Sequence, residues 1–229
     1  EPVYWLTRFW NDQQQAVTYK ELREAIQSGH LDEKTLAAWQ QDYANFVNEH
    51  LKGIWLDAAK AANASAEAAH PGFFYDPMGE GIQNWTTTHG AEWVTNISDE
   101  QREAMVSMID RATTGAWTGD ELARAIRPLI GLTKTQALAN LNYYEHMKAA
   151  LLENNPTMKP ETAAKRAREA AAKYAAKQHR QRAYTIATTE LAFAYNKGAE
   201  DGIIQAQQQG YIGKVKRAWS TAYDDGVCE

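Results

Sequence analysis

A few side chains in this sequence are of types that could do chemistry, and each sets a condition on its surroundings. Glu190 follows Thr189 in a helix-forming run; as a general acid or base it needs a partner acid, base or metal within reach. None is spaced near it in the sequence. Arg182 comes about two helical turns earlier, which puts both residues on roughly one face. A structural Arg–Glu contact, direct or through another helix, is therefore the expected use. Arg166, Lys173, Lys177 and Arg180 lie close to one face at helical spacing. Such a face suits phosphates or an acidic protein surface, with a merely solvated face as the plain alternative. Cys228, beside Asp224 and Asp225, raises the question of zinc. Structural zinc takes four ligands, and only one strong ligand stands here, so a free thiol is expected.

The remaining candidates are weaker. The histidines are scattered at His30, His50, His70, His89, His146 and His179, with no metalloprotease-like pair. His50 falls near the apolar face of a long helix and reads as packed. Ser220-Thr221 faintly resembles an ADP-ribosyltransferase element, but no Glu-x-Glu follows, and that reading is rejected. No cofactor is expected.

Composition bounds the frame that must position these residues. The 229 residues are 44% hydrophobic and 23% charged, ordinary values for a globular chain long enough for one substantial core or two helical lobes. No apolar run approaches a membrane span, and the first ten residues lack a secretory pattern. The chain starts on Glu1, which suggests a piece of something longer. The net charge of −5 argues against a wholesale nucleic-acid coat, although basic residues concentrate between Lys159 and Arg182. A single cysteine excludes an internal disulfide.

The elements follow from spacing and caps, and they predict a mainly α fold with several long helices and a small β element near the C-terminus. Residues 1–16 carry Tyr4, Trp5, Phe9 and Trp10 without a clear period and read as an arm. Thr18 with Glu21 makes a capping box, and Gly29 marks the end of that helix. A longer helix starts at Asp32 and runs on through the Ala-rich stretch to Ala69. Residues 71–97 read as an aromatic, Gly- and Pro-rich connector, with room for a short helix over 82–94. Three further capping boxes are expected, at Ser98/Gln101, Thr118/Glu121 and Thr133/Gln136, with Gly115 and Gly131 closing the first two helices. Pro160 opens a helix that can reach Gln209, with Gly198 and Gly202 tolerated or marking a bend. Alternation from Lys214 to Tyr223 is the best strand candidate. The organisation is thus a helical region over 1–70, a connector over 71–97 and a third region over 98–229. Apolar stripes on the helices over 32–69 and 161–209 look too extended to bury in one monomer and are expected to be assembly surfaces.

A series of short motifs stands in one order: 130-Ile-Gly-Leu-Thr-Lys-Thr-Gln-Ala-Leu-Ala-Asn-140, then Arg182-Ala-x-x-Ile186-Ala-x-Thr189-Glu190, Asn196-x-Gly198, Trp219 and Asp224-Asp225-x-x-Cys228. Over residues 98–229 this series resembles the phage head morphogenesis family, minor head proteins similar to protein F of phage Mu. The resemblance implies a structural protein with no catalytic activity. It would be present in a few copies inside the head near the portal, reaching the virion from the host cytoplasm, and would act in assembly or DNA ejection. It implies the portal protein as partner, with capsid or scaffold proteins and packaged DNA beyond it, and no membrane during assembly. Gly131, Gln136, Arg182, Thr189, Glu190, Asn196, Gly198, Trp219 and Asp224 are then structural motif residues. The sequence departs from the family pattern in two places. Thr188 stands where the family usually has Arg, and the family continues from the first cysteine to a second one three residues later. Such a continuation would let a longer chain hold zinc through Cys228.

Overall fold

The computed structural model describes residues 2–114 and 118–216. The fold is mainly α, with no strand among those residues. The helices are α1 (Pro2–Ala16), α2 (Tyr19–Ser28), α3 (Glu33–Phe46), α4 (Lys52–Ala69), α5 (Glu80–Thr114), α6 (Gly119–Ile126), α7 (Lys134–Asn154) and α8 (Pro160–Gln208). A π-helical turn, Val47–Leu51, joins α3 to α4, and a 3₁₀ turn, Arg127–Leu129, follows α6. None of the described helices is long and apolar enough to cross a membrane.

The local rules worked wherever a cap governs the geometry. Thr18, Thr118 and Thr133 each accept a hydrogen bond from the backbone N–H three residues on, and Glu21, Glu121 and Gln136 reach back to complete the boxes. Gly29 ends α2 at φ 77°, in the left-handed region that glycine enters at no steric cost. Ser98 and Gln101, by contrast, cap nothing: they lie inside α5, which runs unbroken through them. Gln101 faces inward and accepts the Tyr43 hydroxyl proton.

The structure revises the sequence reading in three more places. Residues 2–16 are a helix rather than an arm, because Leu6, Trp10 and Gln13 form a buried four-three stripe under the bulky exposed residues. α5 begins at Glu80 and is far longer than the short helix expected over 82–94. Its buried positions include Ile82, Thr86, Trp93, Ile97, Gln101, Ala104, Met105 and Met108, and the two polar members hide the period from a hydrophobicity count. The third revision concerns the strand: Lys214–Lys216 are irregular, and the rest of that expected strand lies outside the described residues.

The frame is built around α8, 49 residues long and about 70 Å from end to end at 1.5 Å per residue. It packs most extensively on α4 and α7, and touches α1 and α5 between them. Near its start α8 meets α7 through Ala167 and Ala171, against Tyr144. In its middle Ala183 and Ala194 join a core of Leu6, Trp10, Tyr43, Phe46, Trp55 and Trp93. At its end Ala206 packs with Ala59, Phe73, Tyr75 and Ile82. α4 and α8 therefore bury apolar surface against each other and α3 packs on α5, where the sequence suggested outside partners, although α8 still exposes Leu191, Phe193, Ile203 and Ile204. A further core gathers Leu22, Trp39, Met105, Met108, Leu122 and Ile126 from α2, α3, α5 and α6.

Candidate functional site

α8 gathers the motif residues that the sequence spreads over separate segments. Arg182 is buried at mid-helix and has three partners. One guanidinium nitrogen donates to the carbonyl of Gly131, another to the carboxylate of Glu100 on α5, and the plane lies 5.2 Å from the Trp10 ring centre. Gly131 sits at φ 90°, and a Cβ there would stand 2.5 Å from the Trp10 ring, so the loop before α7 can reach Arg182 only as glycine. Trp10 in turn donates to the Tyr43 hydroxyl at 3.1 Å. Burial pushes the Tyr43 phenol far up, and this keeps it protonated as the donor to Gln101. One buried guanidinium thus ties α1, α5 and α8 to the loop before α7.

Glu190 does not contact Arg182. Each instead finds its own partner on α5, Glu100 for Arg182 and His89 for Glu190, so the expected Arg182–Glu190 contact does not form. Glu190 accepts from His89 Nε2 at 2.7 Å, with side-chain exposures of only 9% and 18%. The imidazole stacks on Trp85 at 4.6 Å and meets Trp55 edge-on at 5.1 Å. Among the described residues the carboxylate's ion-pair partner is His89, whose imidazole is surrounded by the rings of Trp55, Trp85 and Phe193. It fixes α5 against α8.

Gly198 and Gly202 mark close approach rather than a bend. A Cβ on Gly198 would lie 2.3 Å from the Cα of Ala59, and one on Gly202 would lie 1.7 Å from Asn63 Oδ1. Asn63 donates to the Gly198 carbonyl at 2.9 Å, using the space the missing side chain leaves. Further along, Gln205 pairs with the backbone of Asp76 in both directions, at 2.8 and 2.9 Å, and pins the loop after α4 to the end of α8. Gln136 caps α7, and its carbonyl accepts from Gln178 of α8 at 3.3 Å. Thr189 and Asn196 are exposed, outside this packing. Trp219, Asp224 and Cys228 lie outside the described residues. Among the described residues no group of His, Cys, Asp and Glu gathers to hold a metal ion.

The basic face keeps its register. Arg166, Lys173, Lys177 and Arg180 are all exposed and fall within an arc of about 60° on α8 at 100° per residue. None has a carboxylate within salt-bridge distance among the described residues. Tyr184, Leu191 and Tyr195 continue the same arc, at 57%, 37% and 49% exposure. The stripe is therefore cationic first and aromatic-apolar after, from Arg166 to Tyr195, about 44 Å. Sequence reasoning found its basic half. The same angular spacing, carried past the last charge, reaches the second half.

Other features escaped the sequence reading. His89 and Glu100 gave no signal, since each is an isolated polar residue on a helix whose period was hidden. His179 is buried between the carbonyls of Ala175 and Ile130, both 2.8 Å from its ring nitrogens. Burial holds its pKa below the ordinary histidine value, with the two carbonyls pulling upward and Arg182 downward. The chain matches no family model, no curated protein and no solved structure.

Proposed function

We propose that this chain is a structural minor head protein of a tailed phage or prophage, which docks on the portal from inside the head and serves in assembly. The ordered motif series supports this reading. So does the use those motifs find: Gly131, Arg182, Glu190 and Gly198 lock helices together and leave α8 as a rigid support. The observation that carries it is the exposed stripe on α8, four cations with no carboxylate partner among the described residues, followed by Tyr184, Leu191 and Tyr195. A basic and aromatic strip of that length has the character of a protein-docking surface, with aromatic anchors and a charged entry. The proposal needs no cofactor and assigns no catalytic step.

The same cations would serve a second reading, a DNA-contacting protein active in ejection. The test is co-purification with the portal protein encoded beside it, at low and high salt. A complex that survives high salt and is lost in Tyr184→Ala/Tyr195→Ala supports docking through the aromatic half. A complex that high salt dissolves places the contact on the cations. Retention of nucleic acid with no portal bound would replace the portal reading with the DNA one.

A further inference from the structure

A second cationic feature lies away from this stripe, in the cleft where α2, α6 and the start of α8 meet. The cleft has a volume of about 630 Å³ and takes Arg23 from α2, Arg124 from α6, and Lys165 and Arg168 from α8. Its size falls within the range of small-molecule sites. Asp120 and Glu169 are the acidic groups that face it. Asp120 is already bound to Arg23 at 2.7 Å, and that guanidinium holds its carboxyl below the ordinary range, with Arg124 adding to the effect. Arg124, Lys165 and Arg168 have no carboxylate within salt-bridge distance among the described residues. Four cations against two carboxylates leave a positive surplus converging from three separate helices.

Bringing like charges together raises the energy of the empty cleft, and a multiply charged anion relieves it. Arginine is the side chain suited to hold phosphate oxygens through paired N–H donors. Nearby Arg127 is excluded from this role: its guanidinium donates to the carbonyls of Gln14 and Gln15 and lies 4.9 Å from the Tyr19 ring centre. We infer that this cleft binds a phosphate-bearing anion of nucleotide size, with Arg124 and Arg168 as the principal ligands and Lys165 and Arg23 completing the charge. The inference is independent of the portal reading, since none of these residues belongs to the exposed stripe.

The phosphate has two sources, a free nucleotide or polyphosphate and the backbone of a nucleic acid. The test is calorimetric titration of the full chain with sodium tripolyphosphate, with ATP and with a short DNA duplex, at two salt concentrations. Tripolyphosphate should bind, more weakly at high salt. The Arg124→Gln/Arg168→Gln variant should bind about tenfold more weakly or worse, having lost two charge-assisted contacts. Neither arginine has a side-chain hydrogen bond or salt bridge among the described residues, so this variant should keep its helical circular dichroism. Lys173→Gln/Lys177→Gln, on the outer face, should bind as the parent does. If the duplex competes with tripolyphosphate and shares its sensitivity to the arginine variant, the backbone of a nucleic acid is the source; if only the small anions bind, a free nucleotide or polyphosphate is. No binding by any of the three probes would overturn the inference, as would binding that the outer-face variant weakens as much as the cleft variant.

Discussion

Replacing Arg182 by Met keeps an unbranched apolar stem and removes the guanidinium with its charge and donors. Three contacts are lost: a hydrogen bond to the buried carbonyl of Gly131, an ion pair with Glu100, and the contact with the Trp10 ring. Glu100 is 54% exposed, so water takes over its carboxylate and that pair contributes at most about 1 kcal/mol. The Gly131 carbonyl has no such access, and a charge-assisted bond to it is worth about 1.5–3 kcal/mol. The ring contact adds about 0.5–1 kcal/mol. Relief from burying a guanidinium offsets part of this, leaving an expected loss of about 2–4 kcal/mol. Urea unfolding followed by circular dichroism measures it as a lower midpoint at an unchanged slope. Glu100→Gln, measured beside it, should cost less than about 1 kcal/mol. If Arg182→Met costs no more than Glu100→Gln, the guanidinium acts only as a surface ion pair, and its role as the tie between α1, α5 and α8 is wrong.

Two glycines should respond oppositely to the same change. Gly198→Ala drives a Cβ into the α4 backbone and should destabilise by about 1–3 kcal/mol, less any gain in helix propensity. Gly53→Ala, exposed within α4 with nothing within 4 Å of the new atom, should stabilise by about 0.5–1 kcal/mol; thermal melts of the two variants decide it. Glu190→Ala strips His89 of its carboxylate and should cost about 1.5–3 kcal/mol in urea unfolding, whereas Glu190→Gln keeps an acceptor and should cost clearly less. His179 has a folded pKa below its unfolded value, so the unfolded chain takes up the proton first as pH falls. Stability is therefore full above the unfolded histidine range. It declines as pH drops from there towards the folded value, and His179→Gln should flatten that slope in a pH series of melts.

What could be read in advance divides along a physical line. Caps and long helices were legible because their causes are local: a Thr with a Glu or Gln three residues on, a Pro at a first turn, an Ala-rich run without breakers. α1 and α5 were not, because their buried faces recruit Gln13, Thr86 and Gln101, which pattern counting places in water. Glu190 was correctly denied a neighbour along the chain. Its actual partner, His89, lies 101 positions away and could be found only once α5 was in place. Arg124 and Arg168 were passed over for a related reason. A face count along one helix cannot see cations that a second helix brings to the same cleft.

The π turn at Val47–Leu51 bears on how this chain tolerates genetic change. The inward residues Trp39, Tyr43, Val47, Leu51, Trp55, Ala59 and Asn63 follow one another at intervals of four, longer than the 3.6 of an α-helical turn. The wider turn takes up part of that excess at one place, so that the segments before and after it both face the interior. A one-codon deletion between 47 and 51 would let an ordinary helical turn replace the wider one and would keep Lys52 to Ala69 close to their present rotation. A one-codon insertion at the same place has no second wide turn to absorb it and would rotate that segment by about 100°. Ala59 would then leave Gly198, Asn63 would leave Gly202, and Trp55 would leave His89. Length variation between related chains should therefore be accepted in the loops and, within α3 and α4, only as loss of the one residue that the wide turn holds.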